Sequence, residues 1–171
     1  RSCLGQGTMA LDAANMKKEG KTIQEVASYL EENKLCYNQV ATVETLDYLK
    51  KAGRVKASAA FFGNIFGVKP MIISDAAGQN FAVKKVKGRK NSLIELVNML
   101  KEVIVDPENQ TVYVVHADCL DDANFVKDLI IKEVNPKAVS VEFMGPIIGV
   151  STGPGTIGVY AKGKKVTVIG N

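Results

Sequence analysis

The sequence predicts a single α/β domain in which helices flank a mixed, largely antiparallel β-sheet. Two observations carry this prediction. Capped segments with apolar residues at helical spacing alternate with short β-rich runs, and a turn-forming segment joins two of those runs. The chain has 171 residues, of which 46% are apolar, enough to fill one compact core.

Helix signals appear as N-terminal capping boxes, acidic residues in a first turn and a glycine stop. In chain order, the first predicted helix runs from near Thr8 to Gly20. The second begins at the capping box of Thr22 with Glu25, and the third at the capping box of Ser92 with Glu95. The fourth begins at Asp121 and Asp122.

Strand signals fall between the helices. The β-rich runs are residues 71–73, 81–83, 112–115, 139–143, 157–161 and 166–169. Residues 75–78 are predicted to turn the first pair into a hairpin, and residues 162–165 to do the same for the last pair. Hairpins pair their strands antiparallel, so the sheet is expected to be mixed rather than all-parallel.

Several classes of function are disfavoured by composition. Cys3, Cys36 and Cys119 lack the paired spacing of zinc sites and disulfide frameworks, so we expect free thiols, no metal and a reducing, cytoplasmic compartment. His116, the one histidine, follows a strand-like run and is interpreted as structural rather than catalytic. No apolar run approaches the ~20 residues of a membrane span.

Residues 46–55 contain a short helix that Gly53 is predicted to end, with Arg54 emerging just beyond it. By spacing alone, Arg54 is expected to interact with the last helix carbonyls. The functional alternative is a fixed guanidinium that binds a carboxylate or phosphate.

Residues 57–70 place aromatic side chains among small ones and glycines. If this segment is helical, it is apolar around much of its circumference, so it is core or it lines a cavity for an apolar ligand. The side chains concerned are Phe61, Phe62, Ile65 and Phe66.

Residues 145–156 are predicted to form a small polar loop between two strands. Ser151 and Thr152 stand directly before Gly153, and such a loop can offer hydroxyl and backbone N–H groups to an anion. Many tight turns have this composition, and the pattern of a P-loop is absent.

Residues 84–90 form a basic run in a chain whose net charge is a mild +4. Such a run is usually a solvated strand end and turn, and an anionic membrane surface or a protein partner is left open. Aromatic residues are not interleaved with the basic ones, which argues against single-strand binding, so we predict no nucleic-acid partner.

Read in order, these segments resemble the DegV family. The sequences that carry the resemblance are Leu-Asp-Tyr-Leu-Lys-Lys-Ala-Gly-Arg-Val at 46–55, the small-residue segment ending in Lys69-Pro70, the basic turn at 85–90, and Gly-Pro-Ile-Ile-Gly-Val-Ser-Thr-Gly-Pro-Gly at 145–155. Together with Gly5-Gln6-Gly7, they cover essentially the whole chain.

The resemblance implies a fatty-acid carrier rather than a self-sufficient enzyme, and no cofactor beyond the bound lipid. Family members have two lobes, so residues 1–171 are expected to be the C-terminal, lipid-binding lobe without its N-terminal lobe. A long-chain fatty acid is presented to a separate ATP-dependent kinase subunit that makes the acyl phosphate. By this resemblance, Arg54, Ser151, Thr152 and Gly153 bind the headgroup and Phe61, Phe62, Ile65 and Phe66 bind the tail.

One position departs from the family pattern. Ser151 stands where the family usually has a histidine, and Val150 precedes it where a threonine is common. Serine donates one hydrogen bond but carries no positive charge. We therefore expect weaker or altered headgroup binding and a ligand that differs from an ordinary fatty acid.

Two alternatives remain open at this point. A divergent, ligand-free interaction domain would have a filled core without a cavity. A phosphoryl- or acyl-transfer enzyme would use Ser151 and Thr152, with His116 or a carboxylate brought close by the fold.

Overall fold

A computed structural model of the chain describes residues 2–54 and 67–170. The helices of this part are α1 (Leu4–Lys18), α2 (Ile23–Asn33), α3 (Asp47–Lys51), α4 (Arg89–Val103), α5 (Leu120–Glu133) and α6 (Pro146–Thr152). The strands are β1 (Tyr37–Thr42), β2 (Val68–Ser74), β3 (Asn80–Lys87), β4 (Thr111–Ala117), β5 (Ala138–Phe143) and β6 (Thr156–Lys162).

The strands form a six-stranded open sheet in the order β3-β2-β1-β6-β4-β5. The pair β4–β5 is parallel, and every other neighbouring pair in that order is antiparallel. The predicted mixed, largely antiparallel sheet flanked by helices is therefore confirmed. The predicted hairpin around residues 75–78 is the connection between β2 and β3.

One face of the sheet is covered by α4 and α5. Val40, Met71 and Val159 alternate out of their strands toward this face and are at most 3% exposed. They pack in one cluster with Leu96 of α4 and Ile130 of α5. This cluster is the main core of the domain.

The opposite face is covered only in part by described residues. Met144 and Tyr160 form a second buried cluster there, against which Leu4 of α1 and Ile148 of α6 pack. The area over β1, β2 and β3 is the floor of a cavity in this structure.

The capping box of α2 is confirmed. The backbone N–H of Glu25 donates to the Thr22 hydroxyl, and the Thr22 N–H donates to the Glu25 carboxylate at 2.7 Å. The same prediction for Ser92 and Glu95 was wrong. Helix α4 begins earlier, at Arg89 after Gly88, and the Ser92 hydroxyl donates to the Arg89 carbonyl inside the first turn.

The second predicted hairpin was also wrong. Residues 166–169 form no strand in the structure, and the chain instead leaves β6 and crosses to the far side of the sheet. Val166 N–H donates to the Leu35 carbonyl at 2.9 Å, and Gly170 N–H donates to the Asp75 carboxylate at 3.0 Å. The terminal segment therefore links the start of β1 to the β2–β3 turn.

Candidate functional site

Helix α3 ends in the way its sequence predicts. Gly53 has φ +67°, its N–H donates to the Lys50 carbonyl, and the N–H of Arg54 donates to the Leu49 carbonyl at 2.9 Å. This pair of bonds is a Schellman motif, and it fixes the direction in which the chain leaves the helix. The Arg54 side chain is thereby placed at the helix end, where its Nη1 donates to the Ala52 carbonyl at 3.1 Å.

The segment at 145–156 differs from the predicted loop. Pro146–Thr152 forms helix α6, because the proline fits the first turn and Gly153, with φ +84°, ends the helix. The Ser151 hydroxyl donates to the Ile147 carbonyl and the Thr152 hydroxyl to the Ile148 carbonyl. Both hydroxyls therefore lie at the C-terminal end of a helix rather than on an open loop.

Helices α3 and α6 meet through Tyr48 and Gly153. A Cβ atom on Gly153 would lie 2.2 Å from Cδ2 of the Tyr48 ring, so only glycine allows the ring to lie where it does. The Gly153 N–H donates to the Gly149 carbonyl at 2.7 Å. Gly153 thus positions the two helices, and its N–H is already used within α6.

A cavity of about 390 Å³ lies between these helices and the sheet. The sheet supplies its floor, which includes Ala41, Ile72 and Ala82, and Leu49 and Ile148 contribute apolar walls. This volume is in the range of small-molecule sites in proteins. The face is the one that α4 and α5 leave free.

Three of the predicted headgroup residues line this one cavity, namely Arg54, Ser151 and Thr152. Among the described lining residues, Arg54 is the one charged side chain. An anionic ligand group would therefore meet a cation and two hydroxyls without a competing carboxylate from those residues. Gly153 does not line the cavity and lies behind it, under Tyr48.

The predicted tail-binding residues Phe61, Phe62, Ile65 and Phe66 lie outside the described residues. The floor residues, by contrast, were missed by sequence reasoning. The signal that could have found them is the alternation along β1, where Gln39 and Ala41 face the cavity and Val40 faces the core.

Tyr160 closes the floor on the side of β6. Burial raises the pKa of its hydroxyl well above the ordinary value, and the neighbouring Cys3 thiol adds to the effect. The hydroxyl therefore stays neutral and lends no charge to the cavity.

His116 does not line this cavity. It is 2% exposed, its Nδ1 accepts the Cys119 N–H at 3.2 Å, and it lines a different hollow together with Asp118 and Phe143. The Ser151 hydroxyl, whose described bond is to the Ile147 carbonyl, thus receives no base from His116.

The side chains of the basic run at residues 84–90 form ion pairs within the fold. In the basic run, Lys84 pairs with Glu95 at 2.7 Å, and Arg89 is mostly buried, with its Nε donating to Asp122 at 2.7 Å.

Within residues 2–54 and 67–170, no group of three or more His, Cys, Asp or Glu side chains is arranged to hold a metal ion. None of the helices in the described ranges combines the length and apolar character that crossing a bilayer requires.

The fold and the site together define an α/β domain with a ligand-sized apolar cavity on one face of an open mixed sheet. The model of a family described as "Uncharacterised protein, DegV family" matches residues 1–164. The chain belongs to the DegV family.

Relatives and solved structures agree with this assignment. A DegV domain-containing protein of Clostridium perfringens is 40% identical over 162 residues, which cover 95% of this chain and 56% of that relative. A DegV family protein of Thermus thermophilus, described as fatty-acid binding, superposes with a TM-score of 0.82 at 26% identity, covering 94% of this chain and 57% of that one. The chain thus spans little more than half the length of these proteins.

A more distant structure shares the fold alone. The fatty acid kinase B3 protein of Streptococcus pneumoniae, solved with linoleic acid, has a TM-score of 0.80 at 10% identity, covering 92% of this chain and 55% of that one.

Proposed function

We propose that this chain is the lipid-binding lobe of a fatty-acid carrier. The observation that carries the proposal is the shared cavity, in which Arg54, Ser151 and Thr152 stand at the rim of an apolar floor. A fatty acid needs this combination, because burial of its tail is favourable by about 0.8 kcal/mol per CH₂. Its carboxylate is costly to bury unless it is paired and hydrogen-bonded.

The carboxylate would be held by the guanidinium of Arg54 and by the hydroxyls of Ser151 and Thr152. The hydroxyls can turn from the Ile147 and Ile148 carbonyls toward a ligand oxygen, since an O–H rotates freely about its C–O bond. Gly153 contributes by letting the Tyr48 ring seat α3 on α6.

The tail would run over Ala41, Ile72 and Ala82, and Phe61, Phe62, Ile65 and Phe66 remain our candidates for further tail contacts.

The open side of the cavity would be covered by the part of the protein that this chain does not include. Ile147 is 86% exposed although it lines the cavity, and Val150 on the same helix is 77% exposed. Large exposed apolar side chains of this kind are typical of contact surfaces. The relatives are nearly twice as long as the matched region, which leaves room for an N-terminal lobe here.

The carrier would present its fatty acid to a separate ATP-dependent kinase subunit, in the cytoplasm, and would not itself catalyse the phosphorylation. This part of the proposal is supported by the family resemblance of the motifs and by the name of the Streptococcus pneumoniae protein with the same fold. The transfer-enzyme alternative lacks support, because His116 lines a different hollow from Ser151. The ligand-free alternative predicts a filled core, which the cavity does not fit.

The first test is organic extraction of the purified full-length protein, followed by mass spectrometry for bound lipid. A fatty acid in stoichiometric amount is the expected result. Absence of lipid, together with failure of added fatty acids to bind, would refute the proposal.

The second test separates Arg54 from its basic neighbours. Arg54→Ala should weaken fatty-acid binding about tenfold or more, since a hydrogen bond to a charged group contributes about 1.5–3 kcal/mol. Lys51→Ala is the matched control, because Lys51 is exposed on α3, carries the same charge and does not line the cavity. Equal losses in both variants would mean that Arg54 acts only through general charge.

A further inference from the structure

A row of polar side chains crosses the floor of the cavity. Gln39 of β1 pairs in register with Tyr160 of β6, and Asn80 of β3 pairs with Ser74 of β2. Val40 pairs with Ile73, which puts Gln39 beside Ser74 across the β1–β2 pair. Four neighbouring strands thus carry polar groups at the same level of the sheet.

The next level of the floor is apolar and small. Ala41 pairs with both Gly158 and Ile72, and Ile72 pairs with Ala82. After β1, the chain continues through Val43 to α3, and Arg54 follows that helix at the rim of the cavity. Gln39 and Val43 are four residues apart on an extended chain, which is roughly 13 Å. The cavity therefore has a polar group at each end of an apolar stretch.

The polar row has spare donors rather than spare acceptors. Asn80 Oδ1 accepts from the Ser74 hydroxyl at 2.6 Å and from Gln39 Nε2 at 2.9 Å. Gln39 Oε1 accepts from the backbone N–H and the hydroxyl of Ser2. Among the described residues, no acceptor is bonded to the second N–H of Gln39 or to Nδ2 of Asn80.

An ordinary alkyl chain would be a poor neighbour for these donors. Gln39 is only 7% exposed, and methylene groups lying over it would remove water from its free N–H without supplying an acceptor. A hydroxyl or keto oxygen on the chain would accept that hydrogen bond and stay buried without loss.

We propose that the preferred ligand is a long-chain fatty acid with a second oxygen function, a hydroxyl or keto group, near the middle of its chain. That oxygen accepts a hydrogen bond from the buried amide of Gln39 while the carboxylate lies at the Arg54 rim. This inference rests on the proposed function and specifies its ligand class.

The test is a direct comparison of oleic acid with ricinoleic acid on the delipidated full-length protein. The two acids share chain length and double bond and differ by one mid-chain hydroxyl. One additional buried hydrogen bond should make ricinoleic acid about threefold to tenfold tighter. Equal or weaker binding of ricinoleic acid overturns the inference and leaves fatty-acid binding intact, whereas failure of both acids to bind overturns the proposed function as well.

A matched pair of variants locates the effect. Gln39→Met removes the amide at similar size, and it should abolish the preference for ricinoleic acid over oleic acid. Gln24→Met makes the same change at an exposed position on α2 that does not line the cavity, and it should leave the preference unchanged. A preference that survives Gln39→Met would overturn the assignment of the polar row.

Discussion

At the scale of single residues, position 151 affects how much charge stands at the end of the cavity that we propose binds the headgroup. The Ser151 hydroxyl lines the cavity with Thr152 and Arg54, and it supplies a hydrogen bond but no charge. A histidine at this position, as the family pattern has it, would add a group that titrates near neutrality.

Ser151→His in the full-length protein is therefore expected to strengthen fatty-acid binding in acid more than in base. An imidazole near pKa ~6.5 is cationic below that value, and a bound carboxylate raises its pKa further. The gain should be about threefold to tenfold near pH ~6 and should disappear as pH rises past the raised pKa. Binding isotherms recorded near pH ~6 and again above the raised pKa measure this gain in affinity.

Ser151→Asn is the neutral control for that measurement, since it keeps a donor without a titrating charge. If Ser151→His gains nothing over this control at either pH, then Ser151 does not lie at the headgroup.

At the scale of elements, the Tyr48 ring of α3 packs directly on Gly153, the residue that ends α6. Gly153 has φ +84° and ψ 170°, a conformation that is essentially restricted to glycine, and the Tyr48 ring occupies the space of its missing side chain. Both cavity walls that carry the predicted headgroup residues are set by this contact.

Gly153→Ala should lower the free energy of unfolding by about 2–4 kcal/mol, from backbone strain together with overpacking against Tyr48. Denaturant unfolding measures the loss. Gly149→Ala serves as the control, because a Cβ there meets nothing within 4 Å and alanine favours the helix by up to about 1 kcal/mol.

A second substitution separates the two causes. Tyr48→Ala removes the clash and leaves the strain, so Gly153→Ala should cost less stability in the Tyr48→Ala background than in the wild type. An equal cost in the two backgrounds would show that the ring contact contributes nothing to the effect of Gly153→Ala.

Local signals predicted the helix boundaries at Thr22 and Gly53 but not the start of α4, and they missed strands that are held by tertiary contacts. The capping box of Thr22 and the glycine stop at Gly53 are local, and both appear in the structure as predicted. Strand β1 was not predicted, since Asn38 and Gln39 have low β-propensity, although its neighbours β2 and β6 hold it in the middle of the sheet.

The candidate site divides in the same way. The motif residues Arg54, Ser151 and Thr152 were identified from sequence, and they line one cavity. The floor residues Gln39 and Ile72 were missed, because β1 itself was not predicted and strand register is what brings the two side chains to the same face.

At the scale of the whole molecule, two hydrogen bonds attach the terminal segment to the β2–β3 turn: the Ala76 N–H donates to the Val168 carbonyl at 2.9 Å, and the Gly170 N–H donates to the Asp75 carboxylate. Asp75 accepts the Gly170 N–H at 3.0 Å and the Gln79 N–H at 2.7 Å. The bond from Gly170, followed by the turn N–H groups, lowers the pKa of Asp75 despite the opposing effect of burial. A lowered pKa means that the bond between the Asp75 carboxylate and the Gly170 N–H is fully formed above the ordinary carboxyl range, and that its contribution is lost as pH falls through the lowered value.

The amide proton resonance of Gly170 should therefore titrate with a midpoint below the ordinary Asp pKa of ~3.9. NMR spectra recorded across the acidic range measure it. Asp75→Asn should abolish this titration, and a Gly170 resonance that follows an ordinary midpoint would contradict the assigned bond.

The strand order of the described sheet places β3 at one edge, and the basic run at residues 84–90 lies partly on this edge strand. An edge strand presents unpaired backbone N–H and C=O groups, with which a strand of a second chain can pair, and aggregation begins at such edges. Lys84, Lys85 and Lys87 stand on β3, and a shift of register near Met71 and Ile72 disturbs its pairing with β2. Charge and irregularity together make this edge a poor template, so colloidal stability of the protein depends on lysines that lie apart from its cavity.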